Sequence, residues 1–403
     1  MTKEPTNGLR MIEFFSGIGG MRLAVEGALQ ETLQESSEGP LPLSCQAYDI
    51  SLYANRTYKQ NFPGDKAVST KLVEQLKATD LDGKADLWTM SPPCQPFTMT
   101  RGAKGLDIDD KRCHGLKGIM ALLTAMEQKP RWILLENVKG FANSRMRDAW
   151  MDCLKSNGYS WQEYLLSPVQ LGIPNHRLRY YMLCERDSTR WSMVQNDRRE
   201  ESILVEPPTC VKAEMLNRRV VGDYIDQSLS DNELEPFMVA DSILSQDWAK
   251  ELGVVAAGDT ATHCFTAGYG RIFSKATGSL LLFHGPHLRN NDKGDTFDAF
   301  VSDNAKETAI ADFPIDRSDM LRYSGQLRRF TPKELLTLFG FPKSFSFPSD
   351  ITLDHQYKLV GNSISVTVVT LLVKILLQGS KVTLTDEQTA AKNQQEQCEE
   401  TRT

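Results

Sequence analysis

Cysteine pairs at metal-binding spacing are missing from this sequence. Its eight cysteines are scattered, and none forms the C-x-x-C pair that structural zinc sites commonly use. The same scatter offers no disulfide framework. We therefore expect no bound metal and a reduced, intracellular setting, in the cytoplasm with the nucleus as a second location.

Long apolar runs are missing as well. The longest, 364–377, is interrupted by serine, threonine and lysine and is too short to span a bilayer. We predict that it forms a buried helix that ends near Gly379. Residues 1–10 are polar and have no apolar core, so we expect no signal peptide and no membrane partner.

Positive charge is not in excess. The 46 Lys and Arg residues are outnumbered by 52 Asp and Glu residues, and the formal net charge of -6 argues against a protein that coats DNA generally. A local basic surface is still compatible with this balance. Arg322, Arg328, Arg329 and Lys333 are one candidate patch, with an ordinary solvated face as the alternative.

The first part of the chain alternates between strands and helices. Short apolar runs predict the strands, and residues 117–128 have the apolar spacing of an amphipathic helix. Strands separated by helices predict an α/β fold with a mostly parallel sheet. The predicted strands are 10–15, 43–48, 86–90, 132–135 and 180–184, and the predicted helices are 21–33, 117–128, 331–339 and 364–377.

The regular pattern stops after residue 190. Residues 191–324 contain few periodic runs and are predicted to form a second, irregular region, and regular structure returns over 325–380. The tail, 381–403, is polar and rich in Gln and Glu, so we expect it to be disordered. A chain of 403 residues suits one large domain or two smaller ones.

Cys94 follows two prolines at the end of a predicted strand. Because a proline restricts its own backbone and that of the residue before it, the segment Ser91-Pro92-Pro93-Cys94 leaves the strand rigidly. A rigid tip suits a nucleophile. A tight turn around a buried, inert thiol is the alternative, and this segment by itself does not decide between them.

A glycine turn follows the first strand, in the string Phe15-Ser16-Gly17-Ile18-Gly19-Gly20. Glycines let a ligand approach the backbone, and the N-terminus of the following helix favours negative charge. Asp49 ends the next strand, where a carboxylate can bind ribose hydroxyls. The pattern indicates a nucleoside-type cofactor, with a purely structural turn as the alternative. The spacing departs from G-x-G-x-x-G, which weakens a dehydrogenase interpretation.

Three further segments carry polar groups suited to chemistry. Glu136 ends a predicted strand, where a carboxylate suits acid–base work or contacts to a base edge. Arg177 and Arg179 point to the same side if the chain is extended, and suit an anionic or polarised ligand. Ser363 ends the turn Gly361-Asn362-Ser363. A solvated strand end and a surface salt bridge are the alternatives for the carboxylate and the arginine pair.

Taken in order, these segments resemble the cytosine carbon-5 methyltransferase family. That family's run is an F-S-G-x-G-G cofactor loop, a P-C-Q nucleophile, an E-N-V motif, a paired-arginine motif and a late G-N-S, all present here in this order. The resemblance covers about residues 9–190 and 325–378. It implies a Rossmann-like, class I S-adenosylmethionine-dependent methyltransferase sheet with a smaller irregular target-recognition region. Residues 1–190 would be the catalytic and cofactor-binding domain, 191–324 the recognition region, and 325–380 the return to the catalytic domain.

The resemblance also implies roles for single residues. Cys94 would be the nucleophile, Glu136 would stabilise the protonated base, and Arg177 and Arg179 would orient the base. The cofactor would be S-adenosylmethionine, which leaves as S-adenosylhomocysteine, and a loop over 99–112 would close over the site. Lys71 stands where the wider family often has an acidic residue, so the adenine contacts stay open. The implied cofactor-binding residues are Phe15, Ser16, Gly17, Ile18, Gly19, Gly20, Asp49, Ile50, Leu72 and Ser363.

A narrower resemblance concerns the substrate. The string His263-Cys264-Phe265-Thr266 is similar to a segment of one branch that methylates cytosine 38 in the anticodon loop of aspartate tRNA. This implies aspartate tRNA as the partner of a monomeric enzyme, with weak binding of DNA besides. A DNA cytosine methyltransferase with the same chemistry is the nearest alternative. An inactive methyltransferase-like protein that only binds nucleic acid is the alternative from another class.

Overall fold

The structure is a computed structural model that describes residues 8–33, 42–64, 68–98, 106–188, 190–191, 203–207, 218–283 and 316–378. Two predicted features fall outside this part of the chain. They are the polar tail at 381–403 and residues 99–105 of the loop predicted to close over the site.

Six strands form the central sheet: β1 (Leu9–Phe14), β2 (Leu43–Tyr48), β3 (Leu87–Met90), β4 (Trp132–Val138), β5 (Tyr159–Leu166) and β6 (Arg179–Arg186). Their order is β2-β1-β3-β4-β6-β5. The first four in this order run parallel, whereas β6 is antiparallel to both of its neighbours. The predicted α/β fold with a mostly parallel sheet is confirmed.

Helices cover both faces of this sheet. On β1, Met11 faces a core shared with the first and last helices, while Ile12 and Phe14 face the core on the opposite side, because successive strand residues alternate. In the described residues the helices are α1 (Gly20–Leu33), α2 (Leu52–Asn61), α3 (Ala78–Leu81), α4 (His114–Ala125), α5 (Arg145–Ser156), α6 (Asp231–Leu234), α7 (Asp241–Leu244), α8 (Pro332–Leu338), α9 (Leu353–Gly361) and α10 (Val366–Gln378).

The most apolar helix belongs to the core. By length and composition alone, Leu353–Leu377 could cross a membrane. The chain instead breaks into α9 and α10, and 67% of the most apolar window is buried inside the protein. The prediction of a buried helix at 364–377 is therefore confirmed by α10, which packs against α1.

Among the elements of the catalytic part that were not predicted from the sequence are α2, α3, α5, α9 and β5. Strand β5 is buried along its whole length although it carries Gln162 and Glu163, so the alternation that marks a half-buried strand is absent. Glu163 is tolerated inside because Arg147 donates to it from Nε at 2.6 Å and Tyr180 donates its hydroxyl.

The irregular region contains a small sheet of three short strands: β7 (Val254–Val255), β8 (Leu280–Leu282) and β9 (Leu327–Arg328). Strand β8 pairs parallel to β7 and antiparallel to β9. Since β9 lies beyond residue 324, the sheet joins the predicted recognition region to the segment that returns to the catalytic domain. The division at 324 stays a prediction.

The predicted basic patch is wrong at Arg328. This residue is fully buried, and its guanidinium donates to Glu334 at 2.8 and 2.7 Å. Glu334 lies in the first turn of α8, where it also accepts from the backbone of Thr331 at 2.7 Å in a capping box. Arg329 is half-buried, with its guanidinium 3.9 Å from the Phe273 ring centroid.

Candidate active site

A cavity of about 640 Å³ lies at the carboxyl ends of the parallel strands β1 to β4. Ligands of open α/β sheets bind at this edge, and the volume is in the range of small-molecule sites, roughly 300–1,000 Å³. The cavity is lined by the glycine turn after β1, the Pro-Pro-Cys turn after β3, the end of β4, the arginine pair and the turn between α9 and α10.

The glycine turn has a strained backbone at its start. Phe15 has φ 55, and Gly17 and Gly19 have φ 53 and 90, in the left-handed region that disfavours side chains with a Cβ. The Phe15 ring packs where α4 has no side chain, since a Cβ on Gly115 would lie 2.9 Å from Phe15 Cζ. This geometry turns the backbone of 15–18 towards the cavity.

Asp49 joins the glycine turn to the end of β2. Its carboxylate accepts from the backbone N–H of Gly17 at 2.8 Å and from that of Ser51 at 2.7 Å. Burial raises the pKa of Asp49 above its usual value, and these two hydrogen bonds oppose the rise. Each carboxylate oxygen keeps a second lone pair that a ribose hydroxyl could use.

Two hydrogen bonds position the turn that carries Cys94. Ser91 donates from its hydroxyl to the carbonyl of Phe15 at 3.1 Å, which connects this turn to the glycine turn. Asn137, in β4, donates from its side chain to the carbonyl of Pro92 at 3.3 Å. Cys94 is partly exposed and lines the cavity. The rigid presentation predicted for Cys94 is therefore what the geometry provides.

The electrostatic surroundings of Cys94 raise the pKa of its thiol. Burial raises its pKa, Glu136 raises it further, and the guanidinium groups of Arg179 and Arg177 oppose both. Glu136 is itself buried, and burial raises the pKa of its carboxyl against the same two arginines. The Glu136 carboxylate lies 3.6 Å from Arg179 Nε.

The arginine pair converges on a second cysteine. Cys264 Sγ lies 3.8 Å from Nη1 of Arg177 and 3.7 Å from Nη2 of Arg179, which confirms that the two side chains point to one side. Burial alone would raise the pKa of Cys264, but the two guanidinium groups outweigh it and hold the pKa below its usual value. The structure thus brings the Cys264-Phe265-Thr266 segment to the catalytic candidates.

Every predicted site residue except Gly19 lines the cavity. Gly19 instead packs against the end of α2, where a Cβ added at this position would lie 2.4 Å from Phe62 Cε2. The catalytic candidates on the cavity wall are Cys94, Glu136, Arg177 and Arg179, and the cofactor candidates are Phe15, Ser16, Gly17, Ile18, Gly20, Asp49, Ile50, Leu72 and Ser363.

Sequence reasoning missed several residues of the wall, among them Gly115, Glu74 and Leu359, whereas Lys111 belongs to the loop predicted to close over the site. None of the three missed residues belongs to a recognisable motif, because each reaches the cavity through tertiary packing. Gly115 had a possible signal, a glycine in the first turn of an otherwise apolar helix, which indicates close packing by a neighbour.

The cavity fits a polar nucleoside cofactor. The Ser16 hydroxyl is buried there and has no hydrogen-bond partner among the described residues, so a ligand could supply one. The wall also combines the Asp49 carboxylate with the exposed apolar side chains of Ile50 and Leu72, which suits a sugar beside a flat ring. The described residues contain no cluster of three or more His, Cys, Asp or Glu that could hold a metal ion.

Comparison with known proteins identifies the family of this chain. The family model described as C-5 cytosine-specific DNA methylase matches residues 9–378. The tRNA (cytosine(38)-C(5))-methyltransferase of Homo sapiens is 31% identical over 92% of this chain and 99% of its own length. The DNA (cytosine-5)-methyltransferase of Dictyostelium discoideum is 32% identical over 92% of this chain and 94% of its own. A crystal structure of a mutant Spodoptera frugiperda DNMT2 superposes with a TM-score of 0.68 at 29% identity, over 92% of this chain and 99% of that one.

Proposed function

This chain belongs to the C-5 cytosine-specific DNA methylase family, and from that premise we propose that it methylates carbon 5 of cytosine 38 in the anticodon loop of aspartate tRNA. The observation that carries the choice of tRNA is similarity over almost the whole chain to proteins named tRNA (cytosine(38)-C(5))-methyltransferase. The contact of Cys264 with both arginines supports it, because it makes the segment resembling the tRNA branch part of the site.

The cofactor of this reaction is S-adenosylmethionine, which supplies an electrophilic methyl group and leaves as S-adenosylhomocysteine. The backbone of 15–18 and Gly20 would hold it, with Asp49 on the ribose and Ser363 closing the pocket from the opposite side. Ile50 and Leu72 would cover its adenine, since both side chains are exposed at the cavity wall.

Cys94 is the nucleophile in this proposal. Its thiolate adds to carbon 6 of the base, and the electron pair of the ring double bond moves to carbon 5, which takes the methyl group. A base then removes the carbon-5 proton, the double bond re-forms, and the Cys94 thiolate leaves. The raised pKa of the Cys94 thiol favours its protonated form in the free site, so the thiol must release its proton before it adds to carbon 6.

Glu136 and Arg179 act on the base. The Glu136 carboxyl, whose pKa is raised by burial, contacts the ring nitrogen and the exocyclic amine and stabilises the charge that develops on the ring. Arg179, 3.6 Å from that carboxylate, fixes its orientation.

A single-stranded loop suits this site better than a duplex. The base must leave its stack to reach Cys94, and flipping costs a few kcal/mol in a duplex and less from a loop. The net charge of -6 also offers little general attraction to a duplex backbone, so we expect DNA to bind weakly. We expect a monomer to be active, because one chain supplies the cysteine, the carboxylate and the arginine pair that line the cavity.

The test is transfer of a radiolabelled methyl group to transcribed aspartate tRNA, to the same tRNA with uridine at position 38, and to duplex DNA of mixed sequence. We expect label in the first only. The Cys94→Ala variant should lose transfer by at least about 10³-fold while S-adenosylhomocysteine still binds. The Dictyostelium relative named as a DNA enzyme keeps DNA as the second candidate. Labelling of DNA with none of tRNA would establish that candidate instead.

A further inference from the structure

The Arg177 guanidinium donates to backbone carbonyls at a buried part of the cavity wall. The residue is 3% exposed. Its Nη1 donates to the carbonyl of Phe265 at 2.9 Å, and its Nη2 donates to the carbonyl of Gly361 at 3.2 Å and to that of Ser363. Its Nε is buried and has no hydrogen-bond partner among the described residues. The guanidinium is therefore committed to the protein, and direct contact with a base falls to Arg179.

The carbonyls that Arg177 binds come from two different segments, the Gly361-Asn362-Ser363 turn and the Cys264-Phe265-Thr266 segment, which we call the two walls. The Gly361-Asn362-Ser363 turn lines the cofactor side and touches the glycine turn, since a Cβ on Gly20 would lie 3.2 Å from Ser363 Oγ. Phe265 belongs to the irregular region and follows Cys264, which contacts Arg179 beside Glu136. The Arg177 side chain thus connects the turn on the cofactor side to the segment beside Arg179, where the base would bind.

The two walls also touch directly at Gly361. A Cβ there would lie 2.2 Å from the backbone carbon of Thr266 and 2.4 Å from the backbone N of Ala267. No other residue fits at this contact, so the two backbones lie against each other. A displacement of the turn must displace the Cys264-Phe265-Thr266 segment as well.

We propose that Arg177 is a positioning residue that couples cofactor binding to nucleic-acid binding. A cofactor that orders the Gly361-Asn362-Ser363 turn orders, through Arg177, the segment that carries Cys264 and so the position of Arg179. By linkage, nucleic acid bound at Arg179 strengthens cofactor binding by the same factor. The inference rests on the proposed function for the identity of the nucleic acid, not for the coupling itself.

Lysine cannot replace arginine here. A guanidinium directs N–H groups in a rigid fork to acceptors on two sides, whereas an ammonium is one compact donor centre. Arg177→Lys keeps the positive charge near Cys94 and Glu136 but can serve only one of the two walls. The variant therefore separates loss of coupling from loss of charge.

The experiment measures the dissociation constant of S-adenosylhomocysteine by titration calorimetry, without nucleic acid and with saturating transcribed aspartate tRNA. For the unchanged protein we expect binding at least about 5-fold tighter with tRNA. For Arg177→Lys we expect the ratio to fall to about 1. The matched control is Arg328→Lys, another fully buried arginine of this region, which pairs with Glu334 and touches neither wall. It should keep the ratio of the unchanged protein.

A second variant covers the case in which Arg177→Lys does not fold. The Phe339 ring lies 4.9 Å from the Arg177 guanidinium, outside the cavity wall, and Phe339→Leu loosens that group without removing a hydrogen bond. We expect an intermediate ratio. An unchanged ratio in either folded variant, an equal loss in Arg328→Lys, or no coupling in the unchanged protein would overturn the proposal.

Failure of the proposed function is distinguished from failure of the coupling by the methyl-transfer assay. If the unchanged protein methylates duplex DNA and not tRNA, the same titrations are made with that DNA. The coupling ratio then tests Arg177 whichever nucleic acid is the substrate.

Discussion

Cys94 and Cys264 lie beside the same two arginines, and the pKa values of their thiols are shifted in opposite directions. For Cys94, burial and Glu136 together raise the pKa above the usual value, while for Cys264 the arginines outweigh burial and lower it. The difference follows from distance, because Cys264 Sγ contacts both guanidinium groups directly. The thiolate form is therefore favoured at Cys264 relative to Cys94, whose protonated form is favoured by burial and by Glu136.

Removing the charge of Glu136 should release the proton of Cys94 more easily. In Glu136→Gln the negative charge that raises the Cys94 pKa is gone, so that pKa should fall. Methyl transfer should nevertheless drop by about 10²–10⁴-fold, because the carboxyl that would stabilise the protonated cytosine is lost. The measurement is alkylation by iodoacetamide across a pH series, read on the Cys94 peptide by mass spectrometry.

The matched control is Asp350→Asn. This carboxylate is exposed and paired with Arg56 on α2, away from the cavity wall, and its loss should leave the alkylation profile in place. A Glu136→Gln profile that does not move to lower pH would show that Glu136 does not act on Cys94.

At the scale of elements, helix α2 packs against the glycine turn and supports it. Gly19 does not line the cavity, yet its backbone has φ 90 and its missing side chain makes room for Phe62 and Tyr58. The turn therefore needs glycine at this position for packing and backbone conformation, whereas the cofactor would use its neighbours.

Gly19→Ala should destabilise the protein by about 1–3 kcal/mol, because the new Cβ adds backbone strain and lies 2.4 Å from Phe62 Cε2. Urea unfolding gives the free energy of unfolding. The control is Gly64→Ala, where a Cβ would meet nothing within 4 Å and the change should be within about 0.5 kcal/mol. Equal effects of the two substitutions would contradict this explanation of Gly19.

Sequence patterns predicted the strands that are short apolar runs, and the elements whose turns carry glycine and proline. Strands β1 to β4 and helices α1, α4 and α10 were expected within a few residues of their observed bounds. Strand β5 was not, because Gln162 and Glu163 interrupt its apolar run, and Glu163 is neutralised by Arg147 from another element. Helix α2 has a mostly polar surface, so its apolar periodicity is weak.

The parts of the candidate site that lie in local motifs were predictable from the sequence. The parts that tertiary packing brings together were not. Cys94 and the glycine turn stand out because proline and glycine restrict or free the backbone. The contact between Cys264 and the arginine pair spans 85 residues of sequence at its shorter separation. No local pattern reveals it, and the same holds for the burial of Arg328 against Glu334.

At the scale of the whole molecule, a buried carboxyl lies under the cofactor side of the sheet. Glu13, in β1, is fully buried and accepts a hydrogen bond from the Tyr58 hydroxyl at 3.1 Å, and Cys45 Sγ lies 3.5 Å from that hydroxyl. Burial raises the pKa of Glu13 to about 8, against the opposing effects of Tyr58 and of Arg22. The folded protein therefore binds this proton more tightly than the unfolded chain does.

Stability should consequently fall as the pH rises. A carboxyl whose folded pKa is about 8, against an ordinary 4.5, favours the folded state most below pH 4.5 and loses that contribution as the pH rises to 8. Asp49 and Glu136 have raised pKa values too and act in the same direction. Calorimetric melting should show a lower midpoint at pH 8 than at pH 5.5.

The Glu13→Gln variant should flatten that decline, since glutamine keeps the shape and does not ionise. Glu127→Gln, at an exposed position at the end of α4, should leave the decline as it is. A decline of the same steepness in Glu13→Gln would assign it to other groups.

The central claim is that Cys94 attacks cytosine 38 of a tRNA, and one measurement tests it most directly. Aspartate tRNA with 5-fluorocytidine at position 38 is incubated with the protein and S-adenosylmethionine. Fluorine on carbon 5 cannot leave as a proton, so the bond between Cys94 and carbon 6 should persist. We predict a covalent complex whose cross-linked peptide contains Cys94 and which does not form with Cys94→Ala. No complex, or one formed through Cys264, would contradict the account.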